Sequence, residues 1–171
     1  MATQTLPKRM FKLVDDLARR LTAPAGLNEP FILQDRIPQS KTRHAVVIWD
    51  RWDGMDRVER SKIILDAYKK SGILHNDSIT VAMGLTQQEA LQMGFLPYSI
   101  VTARRESEPV KLENMRTAME KAGGVQVRTG ALLQLRFPTL ELAQEAYTLL
   151  AKKIPGPYWL IQQETGSTDS R

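Results

Sequence analysis

Residues 40–64 read SKTRHAVVIWDRWDGMDRVERSKII, and the parsing of this stretch decides the fold of the first half of the chain. Ala45 to Trp49 is a continuous apolar run rather than an alternating one, which predicts a central strand covered on both faces. A polar stretch, Gln39 to Arg43, leads into it. Beyond it, Asp56 and Glu59 have the D-x-x-E spacing that opens a helix, and Val58, Ile64, Leu65 and Tyr68 recur on one face before Lys70. Working outward toward the N-terminus, Phe31 to Leu33 is a short apolar run ahead of Pro38. Before that, Met10, Leu13, Val14, Leu17 and Leu21 recur at helical spacing until Ala-Pro-Ala-Gly at 23–26 ends the pattern. In the other direction, Ile79 to Met83 reads as a strand. Leu85 to Ala90 then carries a capping box, Thr86 with Glu89, and an apolar staple between Leu85 and Ala90, so a short helix follows, ending near Gly94.

The second half has its own rhythm. Tyr98 to Ala103 predicts a strand, and Val110 to Ala122 a helix with Leu112, Met115 and Met119 inward, stopped by Gly123 and Gly124. Val125 to Arg128 and Ala131 to Phe137 are strands split by Thr129-Gly130. A helix from Leu140 to Lys152, with Leu142, Ala146 and Leu149 inward, precedes a last strand at Tyr158 to Gln162. The order βαββαβ is the ferredoxin-like pattern. The expected class is therefore α+β, with an N-terminal αββαβα unit over residues 1–95, a ferredoxin-like unit over 96–164 and a disordered tail at 165–171. Pro97 sits at the join, and the residues leave open whether the halves are separate domains or one continuous sheet.

Composition bounds the function. Hydrophobic residues make up 42% and charged residues 25% of 171, which fits a globular chain with one sizeable core or two small ones. The net charge of +5 divides almost evenly between the halves, so it permits an anionic partner without marking a basic tail. The absence of cysteine excludes disulfides, thiolate zinc or iron–sulfur ligation and a Cys nucleophile. No stretch approaches the roughly 18 apolar residues of a membrane span, and no apolar signal-peptide region opens the chain. Residues 8–21 are basic and amphipathic as in a transit peptide, but Asp15 and Asp16 argue for a structural helix. The expectation is a cytoplasmic protein with no membrane partner.

The stretch 40–64 also resembles the BolA family, whose fold is KH-like. There a polar turn with Thr and His feeds an apolar strand, followed by an aromatic, an acidic residue and Gly, then an Arg-rich helix start; ITVAMGLTQQEA at 79–90 similarly resembles the family's next strand and helix opening. Arg60 matches the family's helix Arg. The departures fall on the ligands: Thr80 stands where the family's cluster-ligating His is found, and Ser61 where another His follows the Arg. His44 matches the turn His of some members. The resemblance thus implies a scaffold rather than a cluster site, and no cofactor is expected.

Three groups of candidate residues remain. Asp50, Asp53 and Asp56 lie where a strand leaves the sheet and a helix begins, a place for carboxylate-bound Mg²⁺ in α/β folds; alternatively they cap the helix or pair with Arg51, Arg57 and Arg60. Trp49 and Trp52 bracket Asp50 and point to different sides if the strand runs on. An exposed indole beside Arg51 would suit a partner or a stacked base, whereas core packing would bury both. His44 and His75 lack a carboxylate in register, and no G-x-S-x-G elbow or glycine-rich phosphate loop is present. Arg104, Arg105, Lys111 and Arg116 suggest a basic edge on the second sheet, but only Phe137 offers it an aromatic. The leading expectation is a non-enzymatic binding or adaptor protein that meets a protein partner through Trp49, Arg51, Trp52, Arg57, Arg60 and His44. Nucleic-acid binding by the same segment, or a small carboxylate-metal enzyme, are the alternatives.

Overall fold

The computed structural model describes residues 8–74, 77–103, 110–129 and 132–164, and the class is α+β. His75, Arg104, Arg105 and the tail at 165–171 lie outside the described residues. The chain divides into two compact units, one formed by residues 1–25 and 30–88, the other by 26–29 and 89–171.

In the first unit the order is α1 (Lys8–Leu21), β1 (Phe31–Arg36), β2 (Thr42–Ile48), α2 (Arg57–Ser71) and β3 (Ser78–Leu85), with α3 (Gln87–Gln92) at the unit boundary. The sheet order is β1-β2-β3, with β1 antiparallel and β3 parallel to the central β2. A parallel neighbour needs a crossover, and α2 supplies it. Ala45 and Val47 of β2 turn toward the helices and join Leu13, Leu17, Ile63, Ile64 and Tyr68 in one core. Ile48, on the opposite sheet face, is also fully buried, so the continuous apolar run does report a strand covered on both sides at this end. At its other end the same face is open, because His44 is exposed between Asp35 of β1 and Val81 of β3.

The phase of α2 departs from expectation. Val58 is 61% exposed and Leu65 43%, while the inward positions are Arg60, Ile63, Ile64, Ala67 and Tyr68. Those five keep the i, i+3, i+4, i+7, i+8 spacing of a buried stripe, and a charged residue in it disguised the stripe. Asp56 caps the helix by accepting the Val58 N–H at 2.8 Å. Gly72, at φ 69°, ends it in the left-handed conformation that glycine adopts without a Cβ clash.

The second unit runs β4 (Tyr98–Thr102), α4 (Leu112–Lys121), β5 (Val125–Thr129), β6 (Leu132–Phe137), α5 (Leu140–Lys153) and β7 (Trp159–Gln163). Its sheet order β5-β6-β4-β7 is antiparallel throughout, which is the ferredoxin-like arrangement. Helix α5 packs on β4, β6 and β7, over fully buried Ile100, Leu135 and Phe137. Met115 and Met119 of α4 and Leu142 and Ala146 of α5 are buried as their spacing predicts, whereas Leu112 and Leu149 are exposed and Leu150 takes the inward position beside Leu149. Arg136 lies on the other sheet face with its cross-strand neighbour Ser99. Only 8% exposed, it donates to the Leu96 carbonyl at 3.3 Å and pairs with Glu164.

One core group in the first unit has no hydrogen-bond partner among the described residues. The Tyr68 hydroxyl is buried without a hydrogen bond, and burial pushes its pKa up to about 12 against the opposing pull of Arg43. A buried hydroxyl that makes no bond costs stability relative to its absence. Tyr68→Phe is therefore expected to raise the urea midpoint, by about 1 kcal/mol of stability. A lowered midpoint would show that the hydroxyl does have a partner in solution.

Candidate functional site

The segment after β2 makes the site. Rather than running on as a strand, the chain turns at Asp50–Trp52 in a single 3₁₀ turn, with the Trp52 N–H donating to the Trp49 carbonyl at 3.1 Å. This turn overrides the alternation expected of an extended chain, and both indoles face inward. Trp49 is 5% exposed and Trp52 not at all. Their rings meet edge to face, with centroids 5.2 Å apart, a favoured aromatic geometry. The Trp52 indole N–H donates to the Val47 carbonyl at 3.0 Å. Neither tryptophan is available as a partner anchor or a stacking platform, which corrects that expectation.

Arg60 is corrected in the same way. It is 6% exposed, with Nε donating to the Met55 carbonyl at 2.9 Å and Nη1 to the Gly84 carbonyl at 3.1 Å. Gly84 permits this approach, since a Cβ there would stand 2.8 Å from Arg60 Cβ and 3.2 Å from Trp52 Cε2. At the position where a His was sought, the Ser61 hydroxyl reaches the Ala82 carbonyl at 2.7 Å and strengthens the same α2–β3 seam. Thr80, exposed on β3, lies 3.4 Å from the Arg43 carbonyl.

The three aspartates do not assemble a metal centre. Asp56 is spent on the α2 cap, and an Asp50 carboxylate oxygen accepts the Gln87 N–H at 2.9 Å, closing the start of α3. Asp53 is exposed. Among the described residues no group of three acidic or histidine side chains is placed to hold a cation. His44 and Arg57 are exposed and stand apart from these aspartates in role, with no hydrogen bond or ion pair of their side chains to them among the described residues.

Arg51 is the member of the set that the turn sends outward. Its guanidinium lies 5.0 Å above the Trp49 ring, a cation–π contact, and Nη1 donates to Asp16 of α1 at 2.7 Å. Asp16 also pairs with Arg19. The Arg51 hydrogen bond holds the Asp16 carboxyl below its ordinary value of 3.8, against a smaller opposing effect of burial and with added help from Arg19. Arg51 thereby lines a cleft of about 290 Å³ with Arg9, Lys12 and Leu13 of α1. Leu13, 6% exposed, is its one apolar lining residue, and the other three are cations. Arg9 and Lys12 are exposed and have no ion-pair partner among the described residues. Sequence reading missed both, because they lie some forty positions from Arg51. The available signal was the spacing of Arg9, Lys12, Asp16 and Arg19 along one polar side of α1.

No family model, curated protein or solved structure matches this chain.

Two outcomes follow from this geometry. Gly84→Ala forces Arg60 or Trp52 from its place and is expected to cost about 1–3 kcal/mol, read as a lower urea midpoint with an unchanged slope. The Asp16 carboxyl has a lowered pKa in the folded state, so its contribution is present above pH 3.8 and lost as pH falls through the folded value. The stability gap between the native chain and Asp16→Asn should accordingly close below pH 3.8, and a gap independent of pH would show that the ion pairs carry none of it.

Proposed function

We propose that the protein is a non-enzymatic binding protein that takes an anionic partner on the face where α1 meets the turn after β2. The observation that carries this reading is the cleft itself: Arg51, fixed by Asp16 and the Trp49 ring, beside Arg9 and Lys12, which have no ion-pair partner among the described residues. A cation held in place loses little freedom on binding, and its charge-assisted bonds are strong. The motif record supports binding over catalysis, since the chain has no cysteine, phosphate loop or nucleophile elbow. The groups with shifted acidity belong to ion pairs, as Asp16 and Asp77 do, or to the core, as Tyr68 does. The order of helices and strands in the first unit supports a BolA-like scaffold with its ligand positions replaced. A protein partner seated on exposed indoles, as expected from sequence, loses its anchors here, and charge is what the surface offers instead.

Tryptophan emission gives a direct readout because Arg51 stacks on Trp49. Titration at low salt with single-stranded RNA, poly-glutamate and inorganic polyphosphate should change the emission for at least one of them. Arg51→Gln should weaken that binding about tenfold, the loss of one charge-assisted bond of about 1.5 kcal/mol. If all three polyanions leave the emission and the hydrodynamic size unchanged, the reading is wrong.

A further inference from the structure

We infer that the cleft takes the phosphodiester backbone of a nucleic acid, bound through charge and without base stacking. This rests on the reading of the cleft as an anion site, and three independent observations narrow the class of anion. First, a protein partner needs an apolar centre to its interface, and Leu13, the one apolar residue lining this cleft, is almost fully buried. A polyphosphate chain needs only cations spaced along its path. Second, a lipid surface would require an apolar face on α1, but Met10, Leu13, Val14 and Leu17 lie in the core, and Phe11, 47% exposed, is a single apolar side chain rather than a face. Third, no aromatic lines the cleft to stack on bases: Trp52 is fully buried, Trp49 lies beneath Arg51, and Phe11, though exposed on α1, is not among the lining residues. In the second unit Phe137 is likewise fully buried, so its sheet does not supply the aromatic platform of an RNA-recognition module.

The placement of charge on α1 adds to this. The positive end of a helix dipole favours acids, and each cation placed there opposes helix stability. The first turn of α1 carries no acidic residue, and Arg9 and Lys12 follow each other by three positions at that end. These cations oppose the helix's own electrostatics and reinforce the potential at the cleft. Arg19 continues the line of cations along the helix, held by Asp16. An arrangement poor for helix stability and good for attracting phosphate fits a surface that reads the backbone.

The test is the salt dependence of binding to a fluorescently labelled single-stranded RNA of mixed sequence, measured by anisotropy on the full chain. Three phosphate contacts predict a log–log slope of about −2, so affinity falls roughly 20-fold between 50 and 200 mM salt. Arg9→Gln/Lys12→Gln should bring the slope to about −0.7, the value for one remaining contact. Lys152→Gln/Lys153→Gln, the same charge change on exposed positions of α5 in the other unit, should leave it near −2; circular dichroism checks that each variant folds. Equal losses in both double variants would overturn the site, since net charge alone would then explain binding. Poly-glutamate bound at low salt with no RNA binding would overturn the nucleic-acid assignment and leave the anion site standing. Tighter binding to phosphatidylserine vesicles than to RNA would overturn it as well, and binding to none of these would remove both readings.

Discussion

The buried guanidinium of Arg60 is the contact on which the arrangement of the first unit depends. It is nearly sealed from solvent, and it spans the carbonyl that precedes α2 and the carbonyl at the end of β3. A buried cation is costly unless its donors are used, so the geometry around it is narrowly determined. Gly84 must lack a side chain, α2 must lie against β3, and the chain between Ile48 and Arg57 must turn sharply enough to present the Met55 carbonyl. The 3₁₀ turn at Asp50–Trp52 meets that last requirement. In doing so it rotates both indoles under the helix and Arg51 away from it, so the only cation of the turn that reaches solvent is displayed by the same constraint that hides its neighbours.

The legibility of this protein in its sequence follows the range of the interactions involved. Local signals are legible: the 3.6-residue spacing of α1, the Asp56 cap, the glycines after α4, and the order of helix and strand segments in the second half. The failures lie where a distant partner decides. On α2 Ile64 and Tyr68 face inward as the spacing predicts, but Arg60, Ile63 and Ala67 complete the stripe in place of Val58 and Leu65, because Arg60 reads as a surface residue until Gly84 and Met55 are brought to it. For Trp49 and Trp52 the sequence leaves two readings open, opposite sides if the strand runs on and core packing of both, and the 3₁₀ turn, which nothing within that segment announces, selects the second. Arg9 and Lys12 belong to the site through a contact between α1 and residue 51, a separation that no spacing argument spans. The Arg136–Glu164 pair in the second unit, formed between a strand and the residue after the last one, was invisible for the same reason.

The acidic residues show how the same side-chain type is divided between structure and electrostatics. Asp56 and Asp50 satisfy helix N–H groups, one from the adjacent residue and one from across the unit, and these roles dissolve the apparent metal cluster. Asp15 pairs with Lys70, Asp77 with Arg43, and Asp16 with both Arg19 and Arg51. Exposed pairs of this kind contribute little to stability singly. Their effect is positional, because each holds a cation in one place.

That distinction gives the cleft its character. Along α1 Asp16 pairs with Arg19 near the helix end and with Arg51, Asp15 pairs with Lys70 of α2, and among the described residues no acid pairs with Arg9 or Lys12 near its start. Were the surface shaped by stability alone, the opposite distribution would be favoured, with acids at the N-terminal turn and bases at the C-terminal one. α5 follows that rule, with Glu141 in its first turn and Lys152 and Lys153 in its last. In α1 only the last turn, with Arg19 and Arg20, obeys it. The uncompensated positions are also the ones that share a cleft with Arg51, so the departure from helix electrostatics and the one cation of the turn coincide in space. A surface with that coincidence attracts anions at long range through its potential and holds them at short range through a pre-positioned guanidinium, two properties that no part of the folding argument requires.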